Sequence, residues 1–230
     1  MEKKRSFAQG INFYKLVWVF VLCSILGYFL EMAWCYLYHG FFESRKSLIY
    51  GPFTIIYGLG AVCIVLLIQL FKKQGSLTIF GVTAAFSIVF EYGCSFLQEK
   101  IFGTVSWYYG DSIFSVGGRA NWLFALVWGA MAIVVMKVVL PAMNRLIESI
   151  PNRTGLILTW VMIVGMSVNM FLSASAVYRQ NERRLGLEPG NQYEVFLDEK
   201  YPDERLNEIY VNMRPAGTAL IRDENGRVVK

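Results

Sequence analysis

Charge is scarce in this sequence. Of its 230 residues only 17% are Asp, Glu, Lys or Arg, where soluble domains carry about 25%. There is one histidine, His39, and there are four cysteines, Cys23, Cys35, Cys63 and Cys94, with no Cys-x-x-Cys pair among them. A zinc or iron–sulfur site therefore has no ligand set to draw on, and no metal or other cofactor is expected. The cysteines all fall inside apolar runs and read as small buried hydrophobes rather than disulfide partners. No P-loop, H-E-x-x-H, G-x-S-x-G or dinucleotide fingerprint is present. The chain is thus not expected to hydrolyse ATP by the usual phosphate loop, and it reads as a non-enzyme. Basic clusters interleaved with aromatics are missing outside the apolar runs, which argues against nucleic acid as a partner.

What is abundant is apolar. The hydrophobic share is 55%, the mean hydropathy is +0.42, and the excess sits in runs 16–38, 51–71, 77–98, 122–140 and 155–175. A helix needs about 20 apolar residues to cross roughly 30 Å of hydrocarbon. The expected fold is therefore all-α: a polytopic membrane protein of about five transmembrane helices, with the lipid bilayer as its first partner. The first run is too long for a signal-peptide core and lacks a small-x-small cleavage site, so it reads as an uncleaved anchor. Three regions follow: a cytoplasmic N-terminus over 1–15, a transmembrane domain over 16–175, and a polar C-terminal tail over 176–230.

The charge that exists is uneven. Residues 1–173 hold 13 Lys/Arg against 7 Asp/Glu, and residues 174–230 hold 9 against 10. A basic membrane portion suits anionic headgroups. With the N-terminus inside, the inner segments carry Lys3, Lys4, Arg5, Lys15, Lys72, Lys73, Arg145 and Arg153, and the outer ones only Arg45, Lys46, Lys100 and Arg119. The positive-inside rule places the N-terminus in the cytoplasm, and five spans carry the tail outside. The tail reads as a helix continuing to Arg184, short helices over 195–200 and 203–212, and loop or disorder from Pro215. The segment 141–151 spaces Met143, Leu146, Ile147 and Ile150 as a separate amphipathic helix on the inner face. It would touch lipid or dock a cytosolic partner.

Two acids stand inside apolar runs. Glu31 lies about 15 residues into the first and Glu91 about 14 into the third, roughly 21–22 Å along each helix. A charge at that depth costs at least about 2.5–3.5 kcal/mol and is functional by default, although a structural ion pair would serve equally well. Arg45 and Arg119 in the adjoining loops are the expected bidentate partners. The pattern of Glu31, Cys35, Arg45 and Tyr57-Gly58 repeats weakly as Glu91, Cys94, Arg119 and Trp128-Gly129, which suggests an internal two-helix repeat. The aromatics of residues 107–122 read one by one as an interfacial belt; as a set with Gly117-Gly118-Arg119 and Asn121 they would suit a re-entrant or capping loop over the site. Glu31, Glu91, Arg45, Arg119 and Asn121 are the candidate substrate or ion pathway; no catalytic residue is assigned.

Several segments in order carry a family resemblance. They are Gly27-Tyr28-Phe29-Leu30-Glu31, Tyr50-Gly51-Pro52-Phe53 with Ile56-Tyr57-Gly58, Phe90-Glu91-Tyr92, Gly118-Arg119 through Trp128-Gly129, and Tyr201-Pro202-Asp203-Glu204-Arg205 with Asn212-Met213. In these the chain resembles the bacterial ABC-transporter type IV family (CmpB-like). The resemblance implies a plasma-membrane permease served by a separate cytosolic ATPase. Five spans are few for one permease, which points to a homodimer or a partner. Gly118-Arg119-Ala120-Asn121 is also faintly similar to a Gly-Arg-x-Gly-Asn stretch of prolipoprotein diacylglyceryl transferase, so a lipid-headgroup enzyme is the alternative. An accessory or scaffold protein is a third.

Overall fold

The computed structural model describes residues 6–219, 221–223 and 227–229. Lys3, Lys4 and Arg5, which carry part of the orientation expectation, lie outside them. The chain is helical: α1 (Phe13–His39), α2 (Ile55–Leu70), α3 (Ser76–Phe102), α4 (Trp122–Val134), α5 (Leu140–Glu148), α6 (Asn152–Arg184), α7 (Gln192–Lys200) and α8 (Asp203–Ile209). Four helical stretches are long and apolar enough to span a bilayer: α1, α3, the continuous run Trp122–Glu148, and α6. The fifth apolar helix, α2, has only 16 residues, about 24 Å of rise.

The reason α2 is short lies in the chain before it. The expected span began at residue 51, but the backbone amide of Thr54, the residue capping α2, donates to Ser24 O of α1 at 3.0 Å. Ser24 is eleven residues into α1, so α2 starts near the middle of its neighbour. The loop after His39 therefore dips back along α1 to reach that level. Leu48 on this loop is buried against Val21 and Met166. Irregular backbone at such depth needs internal partners, and it has them. The Ile49 amide donates to Ser173 Oγ at 2.9 Å, and Tyr50 exchanges hydrogen bonds with the Asn169 amide through its N–H (3.3 Å) and its C=O (2.7 Å).

The second half repeats this plan. A hairpin of β2 (Ser115–Val116) and β3 (Ala120–Asn121), preceded by β1 (Thr104–Val105), drops its Val116 and Ala120 onto Ala84 and Ile88 of α3. Then α4 begins, capped by the Asn121 side chain, which accepts from the Leu123 amide at 2.8 Å. Helix α1 packs along α2 and α3 along α4. At each crossing a glycine lets two backbones meet. A Cβ on Gly58 would lie 2.5 Å from Phe20 O, and one on Gly129 2.9 Å from Phe80 O.

The amphipathic helix expected over 141–151 forms as α5, but in continuity with α4 rather than as a separate element. A π-helical turn, Val135–Val139, joins α4 directly to α5. Pro141 is tolerated because it falls at the start of α5, where the widened π turn has already interrupted the regular ladder. Met143 and Ile147 turn inward against Trp18, Val19 and Val65. Lys15, fully buried, donates to Asn144 Oδ1 at 2.7 Å and pairs with Glu148.

The tail is folded rather than loose. Leu197, Tyr201, Leu206, Tyr210 and Met213 pack onto Ile49, Ala176 and Val177. Arg179 of α6 forks onto Asp198, Nε to Oδ1 at 3.0 Å and Nη2 to Oδ2 at 2.9 Å, while Arg183 bridges Asp198 and Asp203, each at 2.5 Å. These arginines hold the Asp198 carboxyl below the usual carboxylate range. Loop was expected from Pro215. Instead β4 (Arg214–Pro215) pairs antiparallel with β1, Thr104 opposite Pro215, and β5 (Ile221–Arg222) pairs with β6 (Val228–Val229).

Candidate functional site

The two intramembrane acids come from different halves and reach one set of aromatic side chains. Trp128 of α4 donates its indole N–H to Glu91 Oε1 at 2.5 Å. The Trp128 ring leans on Tyr57 of α2, with centroids 5.8 Å apart. The Tyr57 hydroxyl approaches Glu31 and lies within electrostatic reach of Glu91. Tyr109, from the loop before α4, does the converse: it approaches Glu91 and feels Glu31. Glu91 is buried and Glu31 half-buried. Oε2 of Glu91 is buried with no partner within hydrogen-bond distance, although the Tyr109 hydroxyl and the Asn121 amide approach the carboxyl.

Neither acid pairs with the arginine expected for it. Arg45 forms its ion pair with Glu43 at 2.8 Å and donates Nε to Cys35 Sγ, also at 2.8 Å; it reaches Glu31 only through its field. Arg119 pairs with Glu99 and donates Nη1 to Ser95 Oγ at 3.2 Å. The guanidinium also lies over the Tyr92 and Phe96 rings, 5.9 and 6.0 Å from their centroids. Arg119 found in Glu99 an acid more exposed than Glu91, whereas Arg45 took the buried Glu43 two residues away. Among the described residues no cationic side chain lies within ion-pair distance of Glu31 or Glu91. Asn121 caps α4 with its side chain and presents its backbone to Glu91.

The arrangement has an internal echo. Arg45 binds the residue four positions after Glu31, and Arg119 the residue four after Glu91; the counterpart of Cys35 is thus Ser95 rather than Cys94. Phe20 and Phe80 each precede their acid by eleven residues and meet Gly58 and Gly129. The aromatic just before each glycine, Tyr57 or Trp128, is the one that turns to the acids.

Sequence reasoning missed Tyr57, Trp128 and Tyr109 as site residues. Tyr57 and Trp128 were legible as the aromatic of each aromatic-glycine pair, since a glycine at a helix crossing fixes where its neighbour points. Tyr109 had no such signal. Among the described residues no group of His, Cys, Asp and Glu is placed to hold a metal ion.

The fold defines the class: an all-α polytopic membrane protein. Residues 18–174 match the family described as "Putative ABC-transporter type IV". The match covers well over half of the chain, which therefore belongs to that family. No curated protein and no solved structure matches it.

Proposed function

We propose that the chain is the membrane-embedded component of a transporter, with Glu31 and Glu91 at the centre of its translocation site. Tyr57, Trp128 and Tyr109 line that site, and Arg45, Arg119 and Asn121 border it. The supporting observation is the convergence of two carboxylates from two half-units on shared aromatic partners, with no cation pairing either. A purely structural acid buried at this depth would gain from a bidentate arginine, and two arginines nearby go elsewhere. In this proposal the N-terminus is cytoplasmic, the folded tail covers the outer side, and a separate ATPase docks at the end formed by Lys15 and α5. The two-helix repeat, alone or doubled in a homodimer, would supply the symmetry of alternating access.

The test compares cells lacking the protein with cells expressing the wild type or a Glu31→Gln/Glu91→Gln variant at equal membrane level. The variant is expected to erase the difference in solute accumulation that separates wild-type from null cells. Full retention of that difference would remove the two acids from the mechanism. A reporter fused after Lys230 reads the side of the tail.

A further inference from the structure

Glu91 belongs to a series. Thr83, Ser87, Glu91, Ser95 and Glu99 recur at steps of four along α3, and such a spacing keeps side chains on one helix face. Thr83, Ser87, Glu91 and Ser95 are all buried. From Glu99 to Thr83 the series rises about 24 Å, most of a hydrocarbon core of about 30 Å. Burying four polar side chains in one line inside a membrane-type helix is costly unless they serve each other or water.

Their hydrogen bonds are incomplete in an ordered way. A serine or threonine in such a helix ordinarily donates to a carbonyl in the preceding turn. Ser87 does so, to Ala84 O at 2.8 Å. Thr83 Oγ1 does not; it is buried without a partner. Thr83 and Ser87 line, with Gly60, Phe90 and Trp128, a cavity of about 10 Å³, close to what one water molecule requires. One turn above Ser87, Glu91 Oε2 also lacks a partner. One turn above that, Ser95 accepts from Arg119, which leaves its own hydrogen free to donate. Glu99, the last member, is half-buried and paired with Arg119 at the end of α3 nearest the tail.

The other end is closed. Beyond Thr83 the helix presents Ile79, which packs with Ile64, Ile68, Ala132 and Val135 in an apolar cluster. Val135 opens the π-helical turn, and π turns interrupt helices most often at functional sites.

From this arrangement we infer that the Glu99–Thr83 face of α3 is a proton half-path, open toward the tail side and stopped by the Ile64–Ile68–Ile79–Val135 plug. A proton from solution at the Glu99 end is taken up on the Ser95 oxygen while Ser95 gives its own hydrogen to the Glu91 carboxylate. There the proton rests, on the neutral Glu91 carboxyl, because beyond Ser87 and Thr83 the helix meets only the apolar plug. Every hydroxyl ends with the number of hydrogens it began with, and no oxidant or other co-reactant is needed. The titratable groups around Glu91 are Glu31 on α1, Tyr57 on α2, Cys94 on α3 beside Cys63 of α2, and Tyr109 on the loop. The inference deepens the transport proposal by giving its acid Glu91 a route to protons from the tail side.

The test uses the full chain in lipid vesicles. Infrared spectroscopy follows the protonated carboxyl band that Glu91→Gln removes, while H₂O is exchanged for D₂O. The exchange of this band should slow roughly tenfold or more in Ser95→Ala but not in Ser95→Thr, which keeps a hydroxyl. Absence of the Glu91 band, or equal exchange in Ser95→Ala and wild type, would each overturn the half-path. The transport proposal fails differently, by full cellular activity of the Glu31→Gln/Glu91→Gln variant, so each can fall without the other.

Discussion

The half built from α1 and α2 and the half built from α3 and α4 share a scaffold and differ in what they carry on it. Sixty residues separate Glu31 from Glu91, and the same step maps Cys23, Gly27, Cys35 and His39 onto Thr83, Ser87, Ser95 and Glu99. Along α1 the face of the acid is thiol and glycine; along α3 it is hydroxyl and carboxyl. The glycine at 27 is filled by Tyr57, whose ring atoms occupy the space a Cβ would need. At 87 a serine is retained and a water-sized space remains. Two acids in equal frames thus have unequal surroundings: Glu31 is held by a tyrosine, whereas Glu91 sits in a continuous polar line. The tail sharpens the asymmetry. It grips the loop of the first half through Tyr201–Tyr50 (2.8 Å between hydroxyls) and Ser44–Ile209, and meets the second half through the short β1–β4 pairing.

The strongest break of this comparison is expected at Arg179. Removing one partner of a buried ion pair costs about 3 kcal/mol or more, and Arg179→Ala leaves Asp198 with Arg183 alone. Hydrogen exchange should rise over 44–50 and stay unchanged over 115–121; an equal rise in both loops would deny that the tail favours the first half. At the crossings, Gly58→Ala should destabilise by about 2 kcal/mol and Gly129→Ala by about 1 kcal/mol, because the added carbon meets Phe20 O more closely than Phe80 O. Thermal unfolding in detergent reads the order, and reversal would contradict the packing. Trp128→Phe, which removes a hydrogen bond to a charged acceptor, should cost about 1.5 kcal/mol, and Tyr57→Phe less, since Glu31 is only half-buried.

The smallest effect is set by pH. Asp198 has its carboxyl lowered first by the Arg179 hydrogen bonds. A depressed acid contributes its stability above the ordinary carboxylate value of about 3.9 and loses it as the pH falls below that value through the folded one. The tail should therefore loosen only below about pH 4, seen as new cleavage between 185 and 203 by an acid protease. Loosening at pH 6 would mean that another group holds it.

Much of the fold was legible because bilayer physics acts on composition. Five apolar runs, their order and the two misplaced acids follow from residue type alone. The spacing of Thr83, Ser87, Glu91, Ser95 and Glu99 was equally visible, since a step of four is a property of the sequence. What was not legible is where the loops go. Nothing in Arg45 or Arg119 announces a preference for Glu43 or Glu99 over the buried acids. That choice depends on where the loops carry each arginine, which is a property of the packed chain. The sequence by itself determined that this protein lies in a membrane and carries acids there. Only the tertiary structure decided that those acids share aromatic partners instead of arginines, because helix crossings at Gly58 and Gly129, not residue chemistry, bring Tyr57 and Trp128 to them.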